Sequence, residues 1–245
     1  LILTNIYSNQ LKKGAYEKNN CKPYYKLKET LDAISKNHDD DLHLVITGDL
    51  SGDVTNESYN HIKNLLKRYH YKVTLLPGNH DDSKLMKSIC DDQITFDYST
   101  INTKNNIFFN FNTQIEGQVG GSIKKNEIFS LNEKINDEIF NIIIFTHHPI
   151  VKVNSKWIDN HVAHNSDILM ELMLANENIQ FNIFSGHVHQ EHCQIQRNVK
   201  VYTTPSTCYQ FKPNSDEYLI DSDLTNGYRV IQLNNNTVQT NIVRL

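Results

Sequence analysis

The sequence is short of several things that would assign it to a special class. No apolar run approaches the roughly 20 residues of a membrane-spanning helix, so no contact with a membrane is expected. Lys and Arg number 24 against 28 Asp and Glu, a net charge of −4. Without a surplus of cations there is no footprint for a phosphate backbone, which argues against nucleic acid polymers as partners. Cysteine is scarce too: Cys21, Cys90, Cys193 and Cys208 lie far apart with no CxxC pair, so neither a structural zinc site nor a disulfide framework is indicated. They read as reduced thiols of a cytoplasmic protein, and no stretch resembles a signal peptide. What is present is ordinary: 245 residues, 38% hydrophobic and 21% charged, enough for a full core and read as one domain over residues 1–245.

Four short apolar runs, Leu44–Thr47, Val73–Leu76, Ile142–Thr146 and Phe181–Ser185, are bounded by Gly, Pro or Asn and suit strands buried on both faces. Helical spacing links Tyr24, Leu27, Leu31 and Ile34, then Tyr59, Ile62, Leu66 and Tyr69, then Ile168, Leu169, Leu172 and Met173 behind Ser166 and Asp167. Two further strands, Ile107–Phe111 and Val199–Thr203, and a closing hairpin, Tyr228–Leu233 with Val238–Val243, point to a mixed sheet or two packed sheets flanked by helices.

The four buried runs end alike. The first leads into Gly48-Asp49-Leu50-Ser51-Gly52-Asp53, the second into Pro77-Gly78-Asn79-His80-Asp81, the third into His147-His148-Pro149 and the fourth into Gly186-His187-Val188-His189. Singly, each is explained by a turn, a helix cap or a core histidine. Together they deliver one carboxylate, one amide oxygen and three imidazoles to strand ends, where open α/β sheets form sites. That mixed oxygen and nitrogen set, without thiolate, suits Fe, Mn or Zn.

These motifs resemble those of the calcineurin-like metallophosphoesterases, and within them the bacterial class III 3′,5′-cyclic AMP phosphodiesterases. The family pattern is D-x-H, G-D-x-x-x-D, G-N-H-[DE], a strand-end His and G-H-x-H, and residues 48–189 carry the last four in order. The stretch Thr204-Pro205-Ser206-Thr207-Cys208-Tyr209-Gln210-Phe211-Lys212-Pro213 and the segment Ser155-Lys156-Trp157-Ile158-Asp159 are similar to the cyclic AMP branch. The resemblance implies a four-layer α-β-β-α sandwich and hydrolysis of cyclic AMP to 5′-AMP by a metal-bound hydroxide, with two metals about 3.5–4 Å apart. It implies that Asp49 bridges the metals, that Asn79, His147 and His187 complete the second site, and that His189 belongs to the first. Asp49, Asn79, His80 and His189 would face the substrate, and His80 would act on the leaving oxygen. His148 would orient its loop.

The first strand departs from the pattern. In LILTNIYSNQ an apolar run ends at Thr4, placing Asn5 at the Asp position and Tyr7 at the His position of D-x-H. Three outcomes stay open: Asn5 and Tyr7 serve as unusual ligands, only the second site fills so that one metal is held rather than two, or hydrolysis is lost and the protein binds a nucleotide or partner. A further reading has Tyr7 filling the space of an absent metal with its hydroxyl on His189. The loop Gly117–Lys125 and the segment Ser155–Asn165 would choose the substrate, whether cyclic AMP or another small phosphodiester; His161 and His164 could reach a substrate there, although two histidines on a polar loop read first as solvated surface residues.

Overall fold

The structure, a computed structural model, describes residues 2–4, 21–39, 42–96, 101–103, 105–234 and 236–245, without the side chains of 2–4 and 101–103. It contains β1 (Ile2–Thr4), α1 (Pro23–Asn37), β2 (His43–Ile46), α2 (Asn56–Leu66), β3 (Lys72–Leu75), α3 (Ser83–Ser88) and β4 (Ile94–Thr95). Next come β5 (Ile101–Thr103), β6 (Asn106–Asn110), α4 (Lys125–Asn132), β7 (Asn141–Thr146), α5 (Lys156–Asp159), α6 (Ser166–Ala175), β8 (Gln180–Ser185), β9 (His192–Gln196) and β10 (Val199–Thr203). The chain closes with β11 (Gln210–Phe211), β12 (Ile220–Asp221), β13 (Gly227–Asn234) and β14 (Thr237–Arg244). Two six-stranded mixed sheets result, ordered β14-β13-β1-β2-β3-β4 and β5-β6-β7-β8-β10-β9.

The continuous apolar runs are explained by burial on both faces. Along β7, Ile142 and Ile144 pack against α4 and α6, while Ile143 and Phe145 point the other way into the layer between the sheets. In β2 the same alternation sends Leu44 and Ile46 toward α1 and α2 and Val45 into the inter-sheet layer with Phe184 and Ile231. Period-2 geometry thus gives each central strand one helix-facing and one sheet-facing row. The layers are therefore helix, sheet, sheet, helix, as the resemblance implied.

The helices begin where local chemistry starts them. Pro23 opens α1, and Leu27, Leu31 and Ile34 bury its inner face. Thr55 caps α2 by accepting from the Ser58 N–H at 3.2 Å. That helix stops at Leu66, short of Tyr69, which still packs on the same core from the turn beyond.

The cysteine expectation is corrected for one pair. Cys21 and Cys208 form a disulfide with Cα atoms 6.1 Å apart, joining the start of α1 to the loop after β10. Their separation of 187 residues hid the contact from the spacing argument. Cys90 and Cys193 are free thiols. Among the described residues, no helix is long and apolar enough to cross a membrane.

Candidate metal centre

Strands β1, β2 and β3 run parallel in one sheet and β7 and β8 in the other. Their connections bring Asp49, Asn79, His80, His187 and His189 to the lining of a single open cavity of about 160 Å³. His147, fully buried, sits beneath it against Asn79 and His187. Asn5 and Tyr7 lie outside the described residues. The strand leading to them pairs Thr4 with Ile46, so β1 and β2 end level, at the edge that also carries Asp49.

The ring of His147 fixes the arrangement. Its Nδ1–H donates to the Thr47 carbonyl at 2.6 Å, which leaves Nε2 bare. Around that nitrogen stand Asn79 Oδ1 at 3.1 Å, His187 Nδ1 at 3.1 Å and Asp49 Oδ1 at 3.4 Å. A proton on His187 Nδ1 satisfies one of these contacts. The two oxygens face that nitrogen lone pair to lone pair, an arrangement that a cation between them relieves. Protonating His147 is no remedy, because burial pushes its imidazole down to about 3 despite the opposing Thr47 carbonyl. The contact with Asp49 is therefore not an ion pair at neutral pH. Burial likewise holds His187 well below the ordinary histidine range, with the neighbouring imidazoles adding to the effect. These residues fit a divalent ion: Asp49, Asn79, His147 and His187 can hold it through Oδ1, Oδ1, Nε2 and Nδ1.

The backbone is bent to make this fit. Asp49, His187 and His189 hold φ of 58°, 60° and 47°, left-handed values uncommon for residues with a Cβ and typical of strained functional positions. Gly48 sits at φ 98°, and a Cβ there would lie 2.6 Å from the backbone nitrogen of Gly78. The two glycines let the Asp49 and Asn79 loops meet.

Second contacts aim the ligands. His189 donates Nδ1–H to the Tyr209 carbonyl at 3.0 Å and stacks on Phe211, ring centres 4.5 Å apart, so its proton is held on Nδ1 and its Nε2 carries a lone pair. Asp81, the last residue of Gly-Asn-His-Asp, accepts from the N–H groups of Gly78 at 2.9 Å and Ser51 at 3.1 Å and from the Tyr59 hydroxyl at 3.0 Å. Burial, then the neighbouring Asp49, pushes its carboxyl upward. Gln114, in the loop after β6, staples the same loop, donating to the carbonyls of Gly78 and Asp81 at 2.8 and 2.6 Å.

The nitrogens of His147, His148 and His187 lie within 4.8 Å of one another, close enough to suggest a three-histidine ion site. His148 is nonetheless committed elsewhere. Its Nε2–H donates to the Val119 carbonyl at 3.0 Å and its Nδ1 meets the Thr113 hydroxyl at 2.8 Å. It orients the loop, as its place before Pro149 suggested.

His161 corrects the sequence reading. It is half-buried in the cavity wall with Nδ1 3.0 Å from His187 Nε2, while His164 is exposed. Trp157, Tyr209, Phe211 and Tyr218 complete an aromatic wall. The Trp157 and Phe211 segments were legible from their similarity to the cyclic AMP branch; nothing in the sequence marked Gln114 or Tyr218.

The calcineurin-like phosphoesterase pattern matches residues 20–191. The chain belongs to that family. A probable cyclic nucleotide phosphodiesterase of Psychrobacter arcticus is 33% identical over 216 residues, 83% of this chain and 76% of that protein. The 3′,5′-cyclic adenosine monophosphate phosphodiesterase CpdA of Escherichia coli K12 is 27% identical over 218 residues, 85% and 76% of the two chains. A dimetal phosphatase from Danio rerio shares the fold, with a TM-score of 0.62 at 13% identity, covering 94% of this chain and 93% of its own. The family brings a divalent metal as its cofactor.

Proposed function

We propose that this metallophosphoesterase hydrolyses 3′,5′-cyclic AMP to 5′-AMP. The observation that carries the reading is the meeting of Asp49, Asn79 and His187 around the bare His147 Nε2 at the carboxyl ends of strands from both sheets. The names of the relatives supply the substrate class, and the wall of Trp157, Phe211 and Tyr218 offers π faces to a nucleobase.

Asp49, Asn79, His147 and His187 are assigned as one metal site, and His189 with Asp49 as part of the other, where Asn5 and Tyr7 replace the usual Asp and His. The donor set favours Fe or Mn and accommodates Zn. A bound cation supplies positive charge to the phosphate oxygens and lowers the pKa of water toward 7. The protein holds the ligands with their protons turned away, on the Thr47 and Tyr209 carbonyls. It also walls one side of the cavity with aromatic rings and carries His80 at its mouth, where that residue would stand beside the phosphate of a bound substrate. A cyclic AMP enzyme would work in the cytoplasm. The Cys21–Cys208 bond points the other way, since disulfides are rare in reducing compartments.

Incubation with cyclic AMP and Mn²⁺, followed by nucleotide chromatography, tests the activity: 5′-AMP should accumulate in proportion to enzyme. Binding of cyclic AMP without turnover would replace the enzyme with a sensor, the second reading that Asn5 and Tyr7 favour. Asn5→Asp combined with Tyr7→His should raise the metal content toward two per chain and increase turnover, because it restores a carboxylate and an imidazole to the weaker site. No change in either quantity would show that the first site is closed by more than these two residues.

A further inference from the structure

His187 faces two ways. Its Nδ1 is 3.1 Å from His147 Nε2, inside the group of would-be metal ligands, and its Nε2 is 3.0 Å from His161 Nδ1 on the far side of the ring. A cation on Nδ1 requires that nitrogen to be bare, and a neutral imidazole then carries its one proton on Nε2. Among the described residues, His161 Nδ1 is positioned to receive that proton.

We infer that His161 is a positioning residue for the metal centre, accepting the Nε2–H of His187 and so holding its Nδ1 bare and aimed at the ion. The inference rests on the metal-site reading above and gives a part to a residue outside every motif that marked the site. Hydrogen bonding to the outer nitrogen of a ligating histidine fixes its tautomer and ring orientation and raises its basicity.

The placement of His161 is itself built. It follows α5, where the His161 N–H bonds the Ile158 carbonyl at 2.9 Å. Asp159 accepts from the Val153 N–H at 2.7 Å, tying that turn to the loop after His148 and Pro149. The Trp157 indole lies edge-on to the His161 ring at 6.3 Å, and the His161 and His187 rings meet at 61° with centres 5.2 Å apart. Imidazole suits the position because it serves both forms of the site. Without metal, His187 can donate from Nδ1 to His147 and accept from a His161 Nδ1–H; with metal, both roles reverse. An aliphatic side chain supports neither form, whereas an asparagine places an amide oxygen near the position of Nδ1.

The test uses Zn²⁺, which is diamagnetic and permits nitrogen NMR. Zn²⁺ affinity is measured by chelator competition for the wild-type chain, His161→Leu and His161→Asn, together with imidazole ¹⁵N shifts of the Zn²⁺-loaded wild type. Expected are a bare Nδ1 and protonated Nε2 on His187, a loss of about 10–100-fold in affinity for His161→Leu, and near-complete recovery in His161→Asn. A His161→Leu variant that binds Zn²⁺ as the wild type does overturns the positioning role, as does an asparagine variant no better than leucine. So does a His187 Nε2 that carries no proton. A wild-type chain that takes up no Zn²⁺ brings down the metal-site reading itself, a result distinct from the others. The wild-type shifts decide the matter even if a variant fails to fold.

Discussion

Asp49→Asn should cost the enzyme at least about 10³-fold in turnover and most of its metal, while leaving the metal-free fold intact. The substitution is nearly isosteric and removes only a charge. Among the described residues, Asp49 Oδ1 is the single anionic donor near His147 Nε2, 3.4 Å away; the other contacts there are a neutral amide and an imidazole held neutral by burial. Replacing its carboxylate leaves a divalent ion with no protein charge at that site, in surroundings where desolvation makes charge balance matter most. Losing one electrostatic contact to a transition state already costs about 10²–10³, and this substitution removes a ligand on which the cation's other effects depend. Metal-free stability should hold or rise, because Asp49 and Asp81 are buried carboxylates that push against each other. Metal analysis, turnover of cyclic AMP and thermal melting of the metal-free chain check the three parts. Wild-type activity in the variant would remove Asp49 from the centre.

How much of this was legible in the sequence depended on the range of the interaction. Buried strands announce themselves, since a run such as Ile142–Thr146 must place apolar groups on both faces, and β7 fell where the run lay. The candidate ligand residues were legible because each follows its strand within a few positions, so the topology alone brings them to one edge. Short helices were not: α3 has six residues and α5 four, too few to show a period. The same Asp82 that ends the Gly-Asn-His-Asp-Asp run caps α3, accepting from the N–H groups of Lys84 and Leu85 at 2.7 and 2.9 Å, a helix start that the stronger metal motif masked. Contacts made across the fold left no local trace at all. The Cys21–Cys208 bond, the Gln114 staple and the His161–His187 pair join residues that no spacing relates. His161 on a polar stretch reads as solvated until the chain is folded.

His80→Ala should retain metal and lose about 10²–10³-fold in turnover, the usual cost of removing one donor aimed at developing charge. The two halves of that expectation come from different atoms of the same residue. The backbone N–H of His80 donates to Asp49 Oδ1 at 3.1 Å, and alanine keeps that bond, so the Asp49 carboxylate stays oriented and the ion stays bound. The imidazole itself is exposed at the cavity mouth, unlike the buried rings of His147 and His148, and its removal leaves no internal void to destabilise the fold. What disappears, in the proposed reaction, is the group that would assist the departing 3′ oxygen. An alkoxide leaves poorly and needs a proton or a positive charge as the bond breaks, whereas a nitrophenolate leaves with little help. The penalty should therefore be large for cyclic AMP and much smaller for bis(p-nitrophenyl) phosphate, with little change in metal content for either assay. An equal penalty on both substrates would mean that His80 binds the phosphate rather than assisting the leaving group, and full activity toward cyclic AMP would exclude it from the reaction.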